Sequence, residues 1–273
     1  MRLFLYLFFL ITLLFSSHEA KTSIYAWVSL NDGQTLTGEY IERFEDRWFY
    51  EENDASIEKF ILLFERKNNR PVFHFINEKE VEDSGFLNIG PSIYKEHLQE
   101  NHLLFKNQLV KDAHVLTGND GHHKFERMFG NFAWDIGILD ILGNPHSDNG
   151  QKNSDYYIFN APVHAPLKGI VVGKVDGQED NPADPTFSSN LSNKLNNYLT
   201  IKVSEGFFLS LVHFKKNTIT VDVGDQVKVN QILGAVGNSG VSYVPHLHYT
   251  LYTYIEDYQR FISVPGFFQE DLN

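Results

Sequence analysis

The chain has 273 residues, 42% of them hydrophobic and 14% aromatic, so a disordered polymer is excluded and there is apolar surface enough for one large domain or two modest ones. Asp and Glu outnumber Lys and Arg by 35 to 23, and the formal charge of −12 repels nucleic-acid phosphates and anionic lipid headgroups, which argues against a nucleic-acid partner. With no cysteine, the sequence excludes disulfides, a thiolate nucleophile and thiolate metal ligands, so any transition metal must be held by His, Asp or Glu.

Met1 and Arg2 precede an unbroken apolar run from Leu3 to Phe15, followed by polar residues and the small Ala20. This is the pattern of a secretory signal over residues 1–20. At about 1.5 Å per residue the run spans roughly 20 Å, short of the ~30 Å hydrocarbon core, which argues against a stable transmembrane anchor. The expected location is periplasmic or secreted. His18 stands where a small residue is usual before a cleavage site, so removal of the segment is left open.

Residues 21–112 read as an accessory β-containing region. SIYAWVSL, TLTGEYI and PVFHFI alternate with the period of half-buried strands, and NDG marks a turn. The stretch ASIEKFILLFERK suits a helix and a buried strand equally. SIYKEHLQENHLLFKNQLV carries apolar residues at near-helical intervals and predicts a connector helix.

Residues 113–265 change character. NFAWDIGILDI, APVHAP, GIVVGKV, NYLTIKV, FFLSLVHF, TITVDV, QVKV, QILGAVG and HLHYTLYTY follow one another between Gly, Pro and Asn clusters. The expected fold class is mostly β, an antiparallel sheet or open barrel preceded by the small β-containing region. The polar insertion at 176–197 is expected to be a surface loop near the mouth of the sheet.

His246 and His248 lie two apart at the start of a predicted strand, so both rings project from one face with Cα atoms about 6.6 Å apart. One can bind a metal while the other handles a proton. Alone, such a pair is as readily a satisfied structural one. His213 closes another predicted strand 33 residues earlier, among apolar neighbours. Asp135 sits in an apolar run, where an ionised carboxylate is costly without a partner, and a metal ion would supply one.

The segment from Val221 to Tyr252 resembles the closing half of the lysostaphin-like (LytM-type) zinc endopeptidases, which cut bacterial cell-wall peptide bridges. Gly224, Asp225, Gln231, Gly234, Gly237 to Gly240 and Pro245 to His248 fall in that family's order and spacing. Upstream, PVHAPLKGIVVGKVDG resembles the family's Pro-Val-x-Ala-Pro element. The resemblance covers about residues 120–255. It implies Asp135 and His248 as zinc ligands, with His213 and His246 beside the metal to orient or deprotonate water and stabilise the tetrahedral oxyanion. The implied reaction is hydrolysis of peptidoglycan stem or bridge peptides. Which bond is cut, and the oligomeric state, are not legible.

The family's commonest pattern has a histidine four residues before the aspartate, where this chain has Asn131, a weaker donor. His122 and His123 lie 13 and 12 residues upstream of Asp135 and resemble a His-His pair in part of the family. One of His122, His123 and Asn131 completes the site, with the histidines favoured. An alternative function is a catalytically inactive module that binds cell wall or activates another hydrolase. Gly237 to Gly240 are read as turn chemistry, Tyr243 and Tyr249 as packing, His164 as peripheral, and Asp180 and Asn181 as part of a cleft wall.

Overall fold

The computed structural model describes residues 22–47, 57–105, 109–117, 131–188, 191 and 194–269. The signal-like segment and the His122–His123 pair lie outside the described residues. The chain divides into two compact units, one running to His102 with Gln269–Asn273, the other comprising Leu103–Phe268. Both are built on antiparallel sheets, and the chain is mostly β. Among the described residues no helix is long and apolar enough to cross a membrane.

The first unit is a five-stranded sheet of β1 (Thr22–Leu30), β2 (Thr35–Arg47), β3 (Ile57–Lys67), β4 (Arg70–Asn77) and β5 (Val81–Pro91), in the order β4-β3-β2-β1-β5. The segment that suited helix and strand equally is strand β3. It lies between β2 and β4, and Phe60, Leu62, Leu63 and Phe64 are all buried, so both faces are covered and the alternation is lost. Asn68 and Asn69, with φ of 49° and 65°, close the β3–β4 hairpin in the left-handed conformation that asparagine tolerates. Ala26, Val28, Leu63 and Ile76 form a core cluster.

Helix α1 spans Ile93–Glu100. Ser92 caps it by accepting the Lys95 N–H at 3.0 Å, and the buried Glu39 carboxylate of β2 accepts the Ser92 hydroxyl at 2.6 Å and the Tyr94 N–H at 2.8 Å. The helix is shorter than the pattern predicted. Asn101 donates from both its main-chain N and its side-chain amide to His97 O, and His102 turns left-handed at φ 57°, so Leu103 and Leu104 fall past the end.

The second unit contains β6 (His114–Thr117), β7 (Trp134–Gly137), β8 (Pro162–His164), β9 (Gly169–Val175), β10 (Tyr198–Ser204), β11 (Phe207–Val212), β12 (Gln226–Val227), β13 (Ile232–Ala235), β14 (Leu247–Ile255) and β15 (Arg260–Val264). Its main sheet runs β12-β9-β10-β11-β14-β7-β6, with β15 also paired to β14, while β8 and β13 form a separate ribbon. Leu199, Ile201, Phe207, Leu209, Leu211, Leu247, Tyr249 and Leu251 fill the buried side. TITVDV, predicted as a strand, is not one. Asp176 takes the N–H groups of Asn217 and Ile219, and the Thr220 N–H donates to Leu233 O at 2.9 Å, so isolated bonds and not a continuous ladder tie this run down.

Candidate metal centre

The site is assembled around β14, whose N-terminal half lies between β11 and β7. Register pairs His248 with Asp135 of β7 on one side and with Val212 of β11 on the other. Directly opposed residues of adjacent strands share a face, so the imidazole and carboxylate meet across the pair. His248 Nδ1 lies 3.0 Å from Asp135 Oδ1, and His246 Nε2 lies 3.5 Å from the same oxygen. His213 follows the last residue of β11 and packs its ring 4.6 Å from that of His246 and 5.9 Å from that of His248, centroid to centroid. Four residues singled out from the sequence, Asp135, His213, His246 and His248, are thus brought together.

Each ring is held by its other nitrogen. His213 Nδ1 donates to Ser239 O at 2.7 Å, and His246 Nδ1 donates to Val244 O at 2.8 Å. A carbonyl can only accept, so both rings carry a proton on Nδ1, and in the neutral form of each ring Nε2 is the nitrogen without one. His248 is oriented by Thr250 Oγ1, 3.1 Å from its Nε2. Burial, reinforced by the neighbouring His246 and His248, pushes the His213 pKa well below the ordinary histidine value, so this ring is neutral. His213 also sits at φ 69°, a strained conformation for a residue with a β-carbon, fixed by Gly237 N–H donating to its carbonyl at 2.8 Å.

The donor pair suits zinc. Two atoms each about 2.1 Å from one tetrahedral ion are about 3.4 Å apart, and His248 Nδ1 and Asp135 Oδ1 at 3.0 Å need only a small separation to reach it. Among the described residues there is no group of three His, Cys, Asp or Glu side chains placed to hold a metal. Asn131 is buried, with no hydrogen-bond partner for its Oδ1 among the described residues. The next residue donates its N–H to Ser263 Oγ, and Ser263 pairs with Tyr252, four residues along β14 from His248. His164 pairs with Ile232 in the β8–β13 ribbon.

Sequence reasoning took Asn238 and Ser239 as turn residues and Asn181 as cleft wall, passed over Ser242 and Asn197, and missed the network these residues form behind the histidines. Ser239, Ser242, Asn238, Asn181 and Asn197 are all buried and hydrogen-bonded to one another or to nearby main chain. Thr250 was missed as well, although the two-residue strand period places it on the face of His246 and His248.

Residues 155–260, less than half of the chain, match the model of peptidase family M23. The resemblance to lysostaphin-like peptidases drawn from the motifs holds for that part of the chain. An uncharacterized metalloprotease of Buchnera aphidicola subsp. Baizongia pistaciae is 41% identical over 56 residues, which are 20% of this chain and 14% of that protein. The match thus spans about one seventh of the curated relative. Similar solved structures include the antimicrobial peptidase lysostaphin from Staphylococcus simulans, 17% identical with a TM-score of 0.36 over 57% of this chain and 50% of that one. The catalytic domain of the prophage-encoded M23 protein EnpA from Enterococcus faecalis is 20% identical with a TM-score of 0.34, over 55% and 87% of the two chains. A zinc-containing peptidase from Vibrio cholerae is 16% identical with a TM-score of 0.34, over 84% and 75%.

Proposed function

We propose that the protein is a zinc-dependent endopeptidase that hydrolyses peptide cross-links of bacterial peptidoglycan, acting in the periplasm or after secretion. The observation that carries this reading is the cross-strand pair of Asp135 Oδ1 and His248 Nδ1 at 3.0 Å with two further histidine rings beside it. Asp135 and His248 serve as ligands, and His122 or His123 supplies the third. When bound, zinc contributes Lewis acidity toward the scissile carbonyl and makes water a nucleophile near neutral pH.

The remaining work falls to His213 and His246. With Nδ1–H engaged on a main-chain carbonyl, each ring offers Nε2 as the base that can take a proton from the attacking water. A ring protonated in this way becomes a donor at Nε2. It can then hydrogen-bond the oxyanion that develops on the carbonyl, or return the proton to the leaving amine. The reaction needs no covalent enzyme intermediate. Residues 21–112 are proposed as an accessory region and 113–265 as the hydrolytic domain.

The test is zinc content by elemental analysis together with release of peptide fragments from purified sacculi. About one zinc per chain and chelator-sensitive release are expected. Metal-free protein that binds sacculi without cutting them would favour the inactive binding module instead.

A further inference from the structure

Behind the two histidines lies a buried polar cluster whose hydrogen bonds run in one direction. Asn238 Nδ2 donates to Asn181 O at 3.0 Å and to Asn153 Oδ1 at 3.1 Å. Its Oδ1 must therefore be the accepting end, and it faces the Ser242 hydroxyl at 2.6 Å. The one hydroxyl proton of Ser242 faces two acceptors, Asn238 Oδ1 at 2.6 Å and Val244 O at 3.0 Å, so whichever takes it, Ser242 Oγ accepts at its 3.3 Å approach to His246 Nδ1. That approach and the Val244 carbonyl both require the proton of His246 to sit on Nδ1.

The cluster is clamped from the 176–197 insertion. Asn181 donates its main-chain N–H to Asn238 O at 2.9 Å and its side-chain amide to Gly240 O at 2.6 Å. Between these two anchored residues lies Ser239, whose carbonyl accepts the His213 Nδ1 proton at 2.7 Å. Asn181, Asn238, Ser239 and Ser242 are each no more than 1% exposed. A fully satisfied buried network of this kind holds one arrangement of its members.

We propose that Asn181 and Ser242 are positioning residues, which fix the turn at 237–244 so that both His213 and His246 are held as Nδ1–H tautomers with Nε2 turned toward Asp135 and His248. The inference rests on the proposed roles of His213 and His246. It assigns the insertion a part in positioning the two histidines.

The test compares Asn181→Ala, Asn181→Asp and Ser242→Ala with the parent, all as full chains. In Asn181→Asp a carboxylate oxygen replaces the amide donor facing Gly240 O at nearly constant volume. Nitrogen-15 NMR of labelled histidine reports the tautomers with or without zinc, and turnover is measured on muropeptides solubilised from sacculi. We expect Nδ1–H rings in the parent and mixed tautomers in the variants. Turnover number should fall about 10- to 100-fold, with KM and zinc content unchanged. Parent rings protonated on Nε2, or variants that lose only melting temperature while keeping tautomers and turnover, would overturn the proposal. If the parent itself releases no peptide, the peptidase reading fails, while the tautomer measurement still decides this one.

Discussion

At the residue scale, the histidines divide by which nitrogen faces Asp135. His248 presents Nδ1 at 3.0 Å and uses Nε2 against Thr250, whereas His246 presents Nε2 at 3.5 Å and uses Nδ1 against main chain. Substituting them should therefore have different consequences. His248→Ala is expected to empty the metal site and abolish peptide release, read by elemental analysis and sacculus digestion. His213→Ala and His246→Ala are expected to keep stoichiometric zinc while turnover falls by about 10²–10⁴, the range for removing a positioned acid or base. Zinc loss in either of the latter would contradict their assignment as assisting groups. Strand periodicity and the cost of a buried carboxylate drew attention to His246, His248 and Asp135, but His213 and the roles of all four were legible only through the resemblance to lysostaphin-like peptidases. The network of Asn181, Asn238 and Ser242 was not legible, because Asn and Ser in a Gly-rich stretch read as turn formers, and Asn181 reaches them from an insertion about 60 residues away in the chain.

At the element scale, the turn between β13 and β14 is closely packed. A β-carbon on Gly237 would fall against the Lys215 main chain and the Asp180 carboxylate. Gly237→Ala is therefore expected to cost about 1–3 kcal/mol, the range for overpacking. It should also lower turnover, because Gly237 N–H bonds the His213 carbonyl. Thermal melting and digestion assays check both effects, and an unchanged pair would count against tight packing at this turn. In the first unit, Glu39 of β2 fixes the start of α1 through Ser92 and the Tyr94 N–H. Glu39→Ala leaves buried donors unpaired and is expected to destabilise that unit by about 1–3 kcal/mol in denaturant titration. A neutral result would mean that water replaces the carboxylate. The strand character of β3 was ambiguous for a physical reason, since a strand buried on both faces loses the alternation that distinguishes it from a helix. Helix α1 came out shorter than its pattern because a left-handed His102 ended it, and tolerance of that conformation at a histidine is not written in hydrophobic spacing.

At the scale of the whole molecule, the mostly β, antiparallel character followed from turn-punctuated runs, and the M23 match over 155–260 agrees with the motifs that suggested it. Asp135 lies outside that matched segment and joins the site only because β7 pairs with β14. The site therefore depends on that long-range pairing, which brings together side chains 113 positions apart. The most direct test is anomalous diffraction at the zinc edge from crystals of the zinc-loaded protein. The predicted result is one strong peak about 2.0–2.2 Å from both an Asp135 carboxylate oxygen and His248 Nδ1. A peak that touches only one of them, or none in this region, would contradict a shared ion and with it the hydrolytic reading.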